Sequence, residues 1–175
     1  RDAPILSISC AGTDLDECEI IHSVFSKSSS AQRELINAGL PIKGVYSPPG
    51  LKGSLLIVSV ESGHPGIADR VTSAVRSTKI GVWFQYIMVV DDDVKATNFL
   101  EALHAAMTRS HPERALQIFA LAAGTPLIPF SDLHDKMHAR AAAITFDATT
   151  PAEWTSNADR PQRMSFDASY PSAVR

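Results

Sequence analysis

Three groups of residues in this chain carry side chains able to do chemistry. Asp91-Asp92-Asp93 sets three carboxylates in a row just beyond a strongly apolar stretch. Carboxylate oxygens at that place would suit a magnesium ion or a ribose hydroxyl. They would equally cap the helix that follows and face its positive N-terminus. The capping role is the one expected, because no phosphate-cradling loop accompanies the triplet. His134 and His138 lie four residues apart, with Asp132 and Asp135 nearby. On a helix that spacing puts two imidazoles on one face, as in zinc sites. Asp135 stands where a hydrolytic zinc motif needs glutamate, so the pair is expected to be exposed in a polar loop, and no metal ligands are assigned.

Cys18 and His22 form the third group, one helical turn apart and able to face one cleft. A Cys–His nucleophile pair would further need a thiolate environment and an oxyanion hole. A histidine among Ile20, Ile21, Val24 and Phe25 is by default a hydrogen-bonded core residue. No Gly-x-Ser-x-Gly elbow starts a serine triad. Gly12 stands alone in the first strand-to-helix turn, where a dinucleotide fingerprint needs three glycines. Asp14 and Asp16 beside it would repel a pyrophosphate. Taken alone, the chain lacks a catalytic set.

The elements that must position these groups follow from hydrophobic periodicity. Ile5 to Cys10 reads as a buried strand between Pro4 and Gly12. Asp14 with Glu17 makes a capping box for a helix that runs to Gly39, with a break allowed at Ser28-Ser29-Ser30. Ile42–Tyr46 and Ser54–Val60 read as strands, the latter apolar enough to be buried on both faces. His64 to Thr78 reads as a helix, Trp83 to Val90 as the most apolar strand, and Phe99 to Arg109 as a further helix. Leu116–Ala120 and Ala143–Asp147 complete the strands, with the proline-rich Thr125–Phe130 extended between them. Strand–helix alternation implies an open, mostly parallel (mixed) sheet with helices on both faces, Rossmann-like without the nucleotide fingerprint. Ligand-facing residues in such sheets collect beyond the carboxyl ends of the strands. The expected division is an α/β domain over 1–149 and an extended, polar C-terminal arm over 150–175 that packs on the domain or on a partner subunit.

Composition bounds the class. The 175 residues suffice for one domain with a buried core, with 45% hydrophobic and 20% charged residues and a formal charge of -3. No cluster of Lys and Arg offers a nucleic-acid footprint, and no apolar run approaches the roughly 20 residues that span a bilayer. Cys10 and Cys18 are the only cysteines, a usage that suits a reducing cytoplasm. The start Arg1-Asp2-Ala3-Pro4 lacks both Met and a signal peptide and enters a strand abruptly, as a fragment of a longer protein would.

Four stretches, in order, resemble the UbiD family of reversible decarboxylases. Leu15-Asp16-Glu17-Cys18-Glu19 is similar to a helix start that the family often writes Thr-Asp-Glu-Thr-His. Asp92-Asp93, followed by Phe99, Leu103 and Thr108-Arg109, resembles the family's Asp-Asp strand end and the helix closing on Thr-Arg. Gly124 to Phe130 resembles its Phe-Pro-Leu-Ile-Pro-Tyr segment. Pro151-Ala152-Glu153-Trp154 and Phe166 to Pro171 resemble the tail of the ferulic and cinnamic acid decarboxylase branch.

The resemblance implies a parent enzyme using prenylated FMN on aromatic, heteroaromatic or α,β-unsaturated carboxylic acids. An upstream flavin domain would hold the cofactor, its metal ions and the Glu-Arg-Glu catalytic network. This chain would then be the C-terminal domain, a substrate lid that forms a homodimer or larger homo-oligomer, with no cofactor or catalytic residue of its own. Carried over position by position, Cys18, Ile21 and His22 fall on the substrate-facing helix, Thr125 and Leu127 on the pocket-lining segment, and Thr97 near the cleft. Thr125 replaces a bulky aromatic, which implies a roomier or more polar pocket. His22 replaces a common aliphatic and would hydrogen-bond a ring heteroatom or hydroxyl of a heteroaromatic acid. Two other readings are a stand-alone interaction domain without catalysis and a metal-using α/β enzyme built on Asp91–Asp93.

Overall fold

In the computed structural model, residues 22–51, 53–126, 128, 130–151 and 154 are described. The first predicted strand, the Asp14 capping box, Cys18, Ile21, Leu127 and the arm beyond Trp154 lie outside them. The described chain opens with a π-helical stretch, His22–Lys27, that runs into α1, Ser28–Asn37. The hydrogen-bonding pattern thus changes at the three serines, which compete poorly as helix formers. Gly39 adopts φ +72° and its amide bonds the Ile36 carbonyl, ending the helix where glycine tolerates the left-handed region.

Among the described residues five strands form one sheet: β1 Ile42–Tyr46, β2 Leu55–Val60, β3 Tyr86–Asp91, β4 Leu116–Ala123 and β5 Arg140–Ala148, in the order β1-β2-β3-β5-β4. The central pairings β2–β3 and β3–β5 are parallel, and both outer pairings, β1–β2 and β5–β4, are antiparallel. The sheet is therefore open and mixed, parallel at its centre. All six residues of β2 are buried, as their unbroken apolar run required.

Helices cover both faces. On one, α1 and α2 (Ile67–Arg76) bury Ala31, Leu35, Val71 and Val75 against Leu56, Val58, Ile87 and Val89. On the other, α3 (Phe99–Arg109) sets Ala102, Ala105 and Ala106 against Ile57, Met88 and Val90. Each large aliphatic buried in these layers contributes roughly 1.5–3 kcal/mol. The small alanines of α3 let that helix lie close to the sheet.

Two elements begin later than the sequence implies, for local reasons. α2 starts at Ile67, because Gly63 (φ +88°) and Gly66 (φ +68°) hold the preceding turn in the left-handed region. β3 starts at Tyr86, because Lys79–Val82 winds into a 3₁₀ turn. The Arg76 guanidinium donates to the carbonyls of Phe84 (2.6 Å) and Gln85 (3.4 Å) and holds that approach. β4 and β5 extend beyond the predicted spans because they pair antiparallel along their length, joined by residues 124–139, which carry α4, Leu133–Met137. Among the described residues no helix is long and apolar enough to cross a membrane.

Candidate functional site at the carboxyl edge of the sheet

The parallel strands β2, β3 and β5 end at Val60, Asp91 and Ala148, and all three release the chain into one cleft of about 810 Å³. The turn Gly63–Gly66, Asp91, and the pair Thr149-Thr150 line it from those three strands. The end of α3 supplies Arg109, the connection to β4 supplies His111 and Arg114, and Trp154 closes the rim. Such a cleft is the expected ligand position for an open parallel sheet.

The acidic triplet is knotted into the fold at this edge. Asp91 is 3% exposed, and its Oδ2 accepts from the Thr150 amide at 2.7 Å and the Thr150 hydroxyl at 2.5 Å. Arg109, whose side chain is 8% exposed, forks onto Asp93 with Nη1–Oδ1 3.0 Å and Nη2–Oδ2 2.7 Å. Its Nη1 also lies 3.7 Å from Asp91 Oδ2. Asp92 Oδ1 accepts from the Ser62 hydroxyl at 2.5 Å. Asp147 accepts from the Thr149 hydroxyl at 2.6 Å, and its carbonyl accepts from Ser110 Oγ at 2.7 Å.

These contacts correct the expectation that the triplet caps the following helix. The N-cap of α3 is Asn98, whose side chain accepts from the Glu101 amide. A magnesium site at the triplet loses its premise as well, since the guanidinium of Arg109 already supplies the cation between Asp91 and Asp93. Chemically, two carboxylates, Asp91 and Asp147, line the cleft, and each accepts hydrogen bonds from within the chain. Sequence reasoning missed the partnership of Arg109 and Thr150 with Asp91; Thr150, 59 positions away, meets Asp91 only through the sheet order. Their local signal was a basic residue in the last turn of a helix, which reads as a favourable dipole contact and nothing more.

Of the sequence-predicted site residues, Cys18, Ile21 and Leu127 lie outside the described residues. His22 opens the π-helical stretch. Thr97 is exposed in the β3–α3 connection. Thr125 is half-buried just after β4, which runs antiparallel to β5 and so delivers it to the opposite edge of the sheet from the cleft. Neither Thr97 nor Thr125 lines the cleft. His134 is exposed, as expected, and sits on α4. That short helix gathers Asp132, His134 and Asp135 so that one ligand atom of each lies within 4.8 Å of the others.

Known proteins share this architecture. The pyrrole-2-carboxylic acid decarboxylase of Pseudomonas aeruginosa is 26% identical over 185 aligned residues, covering 100% of this chain and 36% of the relative. Ferulic acid decarboxylase 1 of Saccharomyces cerevisiae is 29% identical over 139 residues, covering 74% of this chain and 27% of the relative. The chain thus spans about a third of the length of these curated relatives. The UbiD-class enzyme HmfF from Pelotomaculum thermopropionicum, solved in complex with FMN, superposes with a TM-score of 0.71 at 22% identity, over 86% of this chain and 32% of that one. The vanillic acid decarboxylase of Sedimentibacter hydroxybenzoicus in its closed form superposes at 0.70 and 23% identity, over 83% of this chain and 30% of that one. At these identities the superpositions carry the fold. Residues 23–148 match the 3-octaprenyl-4-hydroxybenzoate carboxy-lyase C-terminal domain, and across that span the chain belongs to the UbiD family.

Proposed function

We propose that this chain is the C-terminal, substrate-covering and oligomerisation domain of a cytoplasmic decarboxylase that acts on aromatic, heteroaromatic or α,β-unsaturated acids through prenylated FMN. The observation that carries the proposal is the family match over residues 23–148 in a chain aligned end to end with a decarboxylase of pyrrole-2-carboxylic acid. The described residues do not fit a flavin site of their own. The carboxyl-edge cleft presents Asp91 and Asp147, which disfavour a phosphate, and its buried Arg109 is engaged by carboxylates. The cofactor and its metal ions would be held by an upstream domain of the longer protein.

The chain's own share is to shape the cleft, exclude water and orient the acid. His22 would hydrogen-bond a heteroatom of the substrate ring. Thr125 and Leu127 would form the wall, with Cys18 and Ile21 beside it, whereas Thr97 follows the carboxyl end of β3 at the other end of the sheet from Thr125 and is left out of that wall. Thr125 itself lies at the sheet edge away from the Arg109 knot. Self-association is supported by β4, an edge strand whose Ile118 and Leu121 are 74% and 67% exposed. The arm over 150–175 would pack across a partner subunit, starting from Thr150, which Asp91 anchors.

The test is expression of the longer protein together with a flavin prenyltransferase. A bound modified flavin absorbance and decarboxylation of pyrrole- or furan-type acids are expected, with no turnover by the 175-residue chain alone. His22→Ala in the longer protein should reorder its preference among heteroaromatic and plain aromatic acids. Turnover by the isolated chain, or a longer protein that retains no flavin, overturns the proposal.

A further inference from the structure

The β4–β5 connection gathers metal-ligand side chains that the decarboxylase reading does not use. Asp132 caps α4, its Oδ1 accepting from the Asp135 amide at 2.8 Å, which fixes the carboxylate beside the first turn. His134 Nδ1 lies 3.7 Å from Asp135 Oδ1. One helical turn on, the ring of His138 lies 4.4 Å from that of His134, centroid to centroid. His138 Nδ1 is 2.8 Å from the His134 carbonyl oxygen. A carbonyl only accepts, so Nδ1 carries the proton and the lone pair sits on Nε2. Metal-bound imidazoles show this arrangement, with the other ring nitrogen donating to a backbone carbonyl.

We propose that Asp132, His134, Asp135 and His138 bind one divalent transition-metal ion of borderline softness, Zn²⁺ in the first instance. Two imidazoles and two carboxylates form a donor set that suits Zn²⁺, and it disfavours Mg²⁺ and Ca²⁺, which take oxygen ligands alone. The sequence argument against zinc rested on the missing glutamate of a hydrolytic motif. A glutamate base is needed to activate water and is not needed to hold a metal. The ligand atoms of Asp132, His134 and Asp135 already lie within 4.8 Å of one another. The two histidines and Asp132 are exposed, so an ion from solvent can reach them. Left-handed Ala139 (φ 51°) turns the chain from this cluster straight into β5. A bound ion would therefore brace the connection that also carries Thr125.

Calorimetric titration of Zn²⁺ into the reduced 175-residue chain tests the site, with Co²⁺ absorbance as the second readout. Saturable uptake at one site is expected, weakened at least about tenfold in His134→Ala and in His138→Ala. A zinc-dependent rise in Tm should appear in the native chain and vanish in the double variant. Both histidines are exposed, and far-UV circular dichroism confirms that the variants fold. The Co²⁺ spectrum should lack thiolate charge-transfer bands, which would betray capture by Cys10 or Cys18. Absence of saturable uptake, uptake unchanged in the double variant, or a thiolate spectrum overturns the proposal. None of these outcomes bears on decarboxylation by the longer protein.

Discussion

Arg109 and Asp93 meet in a two-point fork at 3.0 and 2.7 Å, joining the last residue of α3 to the turn beyond β3. The same guanidinium reaches Asp91, which in turn holds Thr150, so one cation ties the end of α3 to the exits of β3 and β5. A fork of this kind matches the planar guanidinium and no other side chain.

Replacing Arg109 by alanine leaves Asp91 buried opposite no cation and should cost about 3–5 kcal/mol, read as a lower urea midpoint at unchanged m-value. Arg109→Lys keeps the charge and loses the fork, and should fall between the two. An alanine variant as stable as the native chain would show that the knot contributes nothing to the fold.

Arg76 is a half-buried cation, and desolvation holds its pKa below the ordinary guanidinium value. A lowered folded-state pKa means that folding disfavours the charged form. Arginine nevertheless stays protonated in both folded and unfolded chains from about pH 5 to 8, so its contribution should be flat across that window. Arg76→Met should destabilise by roughly 1–3 kcal/mol, because the carbonyls of Phe84 and Gln85 lose their charged donor. The loss should be the same at both ends of the window when measured by denaturant titration.

Ala139 adopts φ 51°, a conformation that costs an L-residue roughly 1–2 kcal/mol. Ala139→Gly relieves that strain at some expense in unfolded-state entropy. A net gain of about 0.5–1 kcal/mol, seen as a raised Tm, is the expected result.

Ile118→Lys places a charge at a 74%-exposed position of the edge strand. It should lower the apparent mass in multi-angle light scattering and leave the melting temperature of the domain nearly unchanged. On the wall, Thr125→Phe in the longer protein should raise KM for bulky acids more than for small ones, by narrowing the pocket.

Much of this fold was legible because its signals are local. The unbroken apolar run of Leu55–Val60 marks a strand buried on both sides, and Gly39 marks the end of α1 by its left-handed φ. Phe99–Arg109 was bounded to the residue by its periodicity. The cap of α3 was assigned to the wrong residues, because carboxylates next to a helix are chemically plausible caps and only the structure shows Arg109 claiming them. Strand order was equally hidden. That β5 slots between β3 and β4 follows from packing across the whole domain, which no window of sequence contains. The Asp132–His138 cluster was visible as residue types, but the hydrogen bond from His138 to the His134 carbonyl was not.

The last described strand completes the interior of the sheet, with β3 on one side and β4 on the other. A nascent chain emerging from the ribosome therefore has β4 in hand, yet nothing to zip it onto, until residues 140–148 have been made. Until then the apolar flank of β3 and the length of β4 stand open together, a window in which a chaperone or a second nascent copy competes for them. Synthesis halted before Arg140 should thus yield an insoluble product, while a stop after Ala148 leaves all five strands free to assemble.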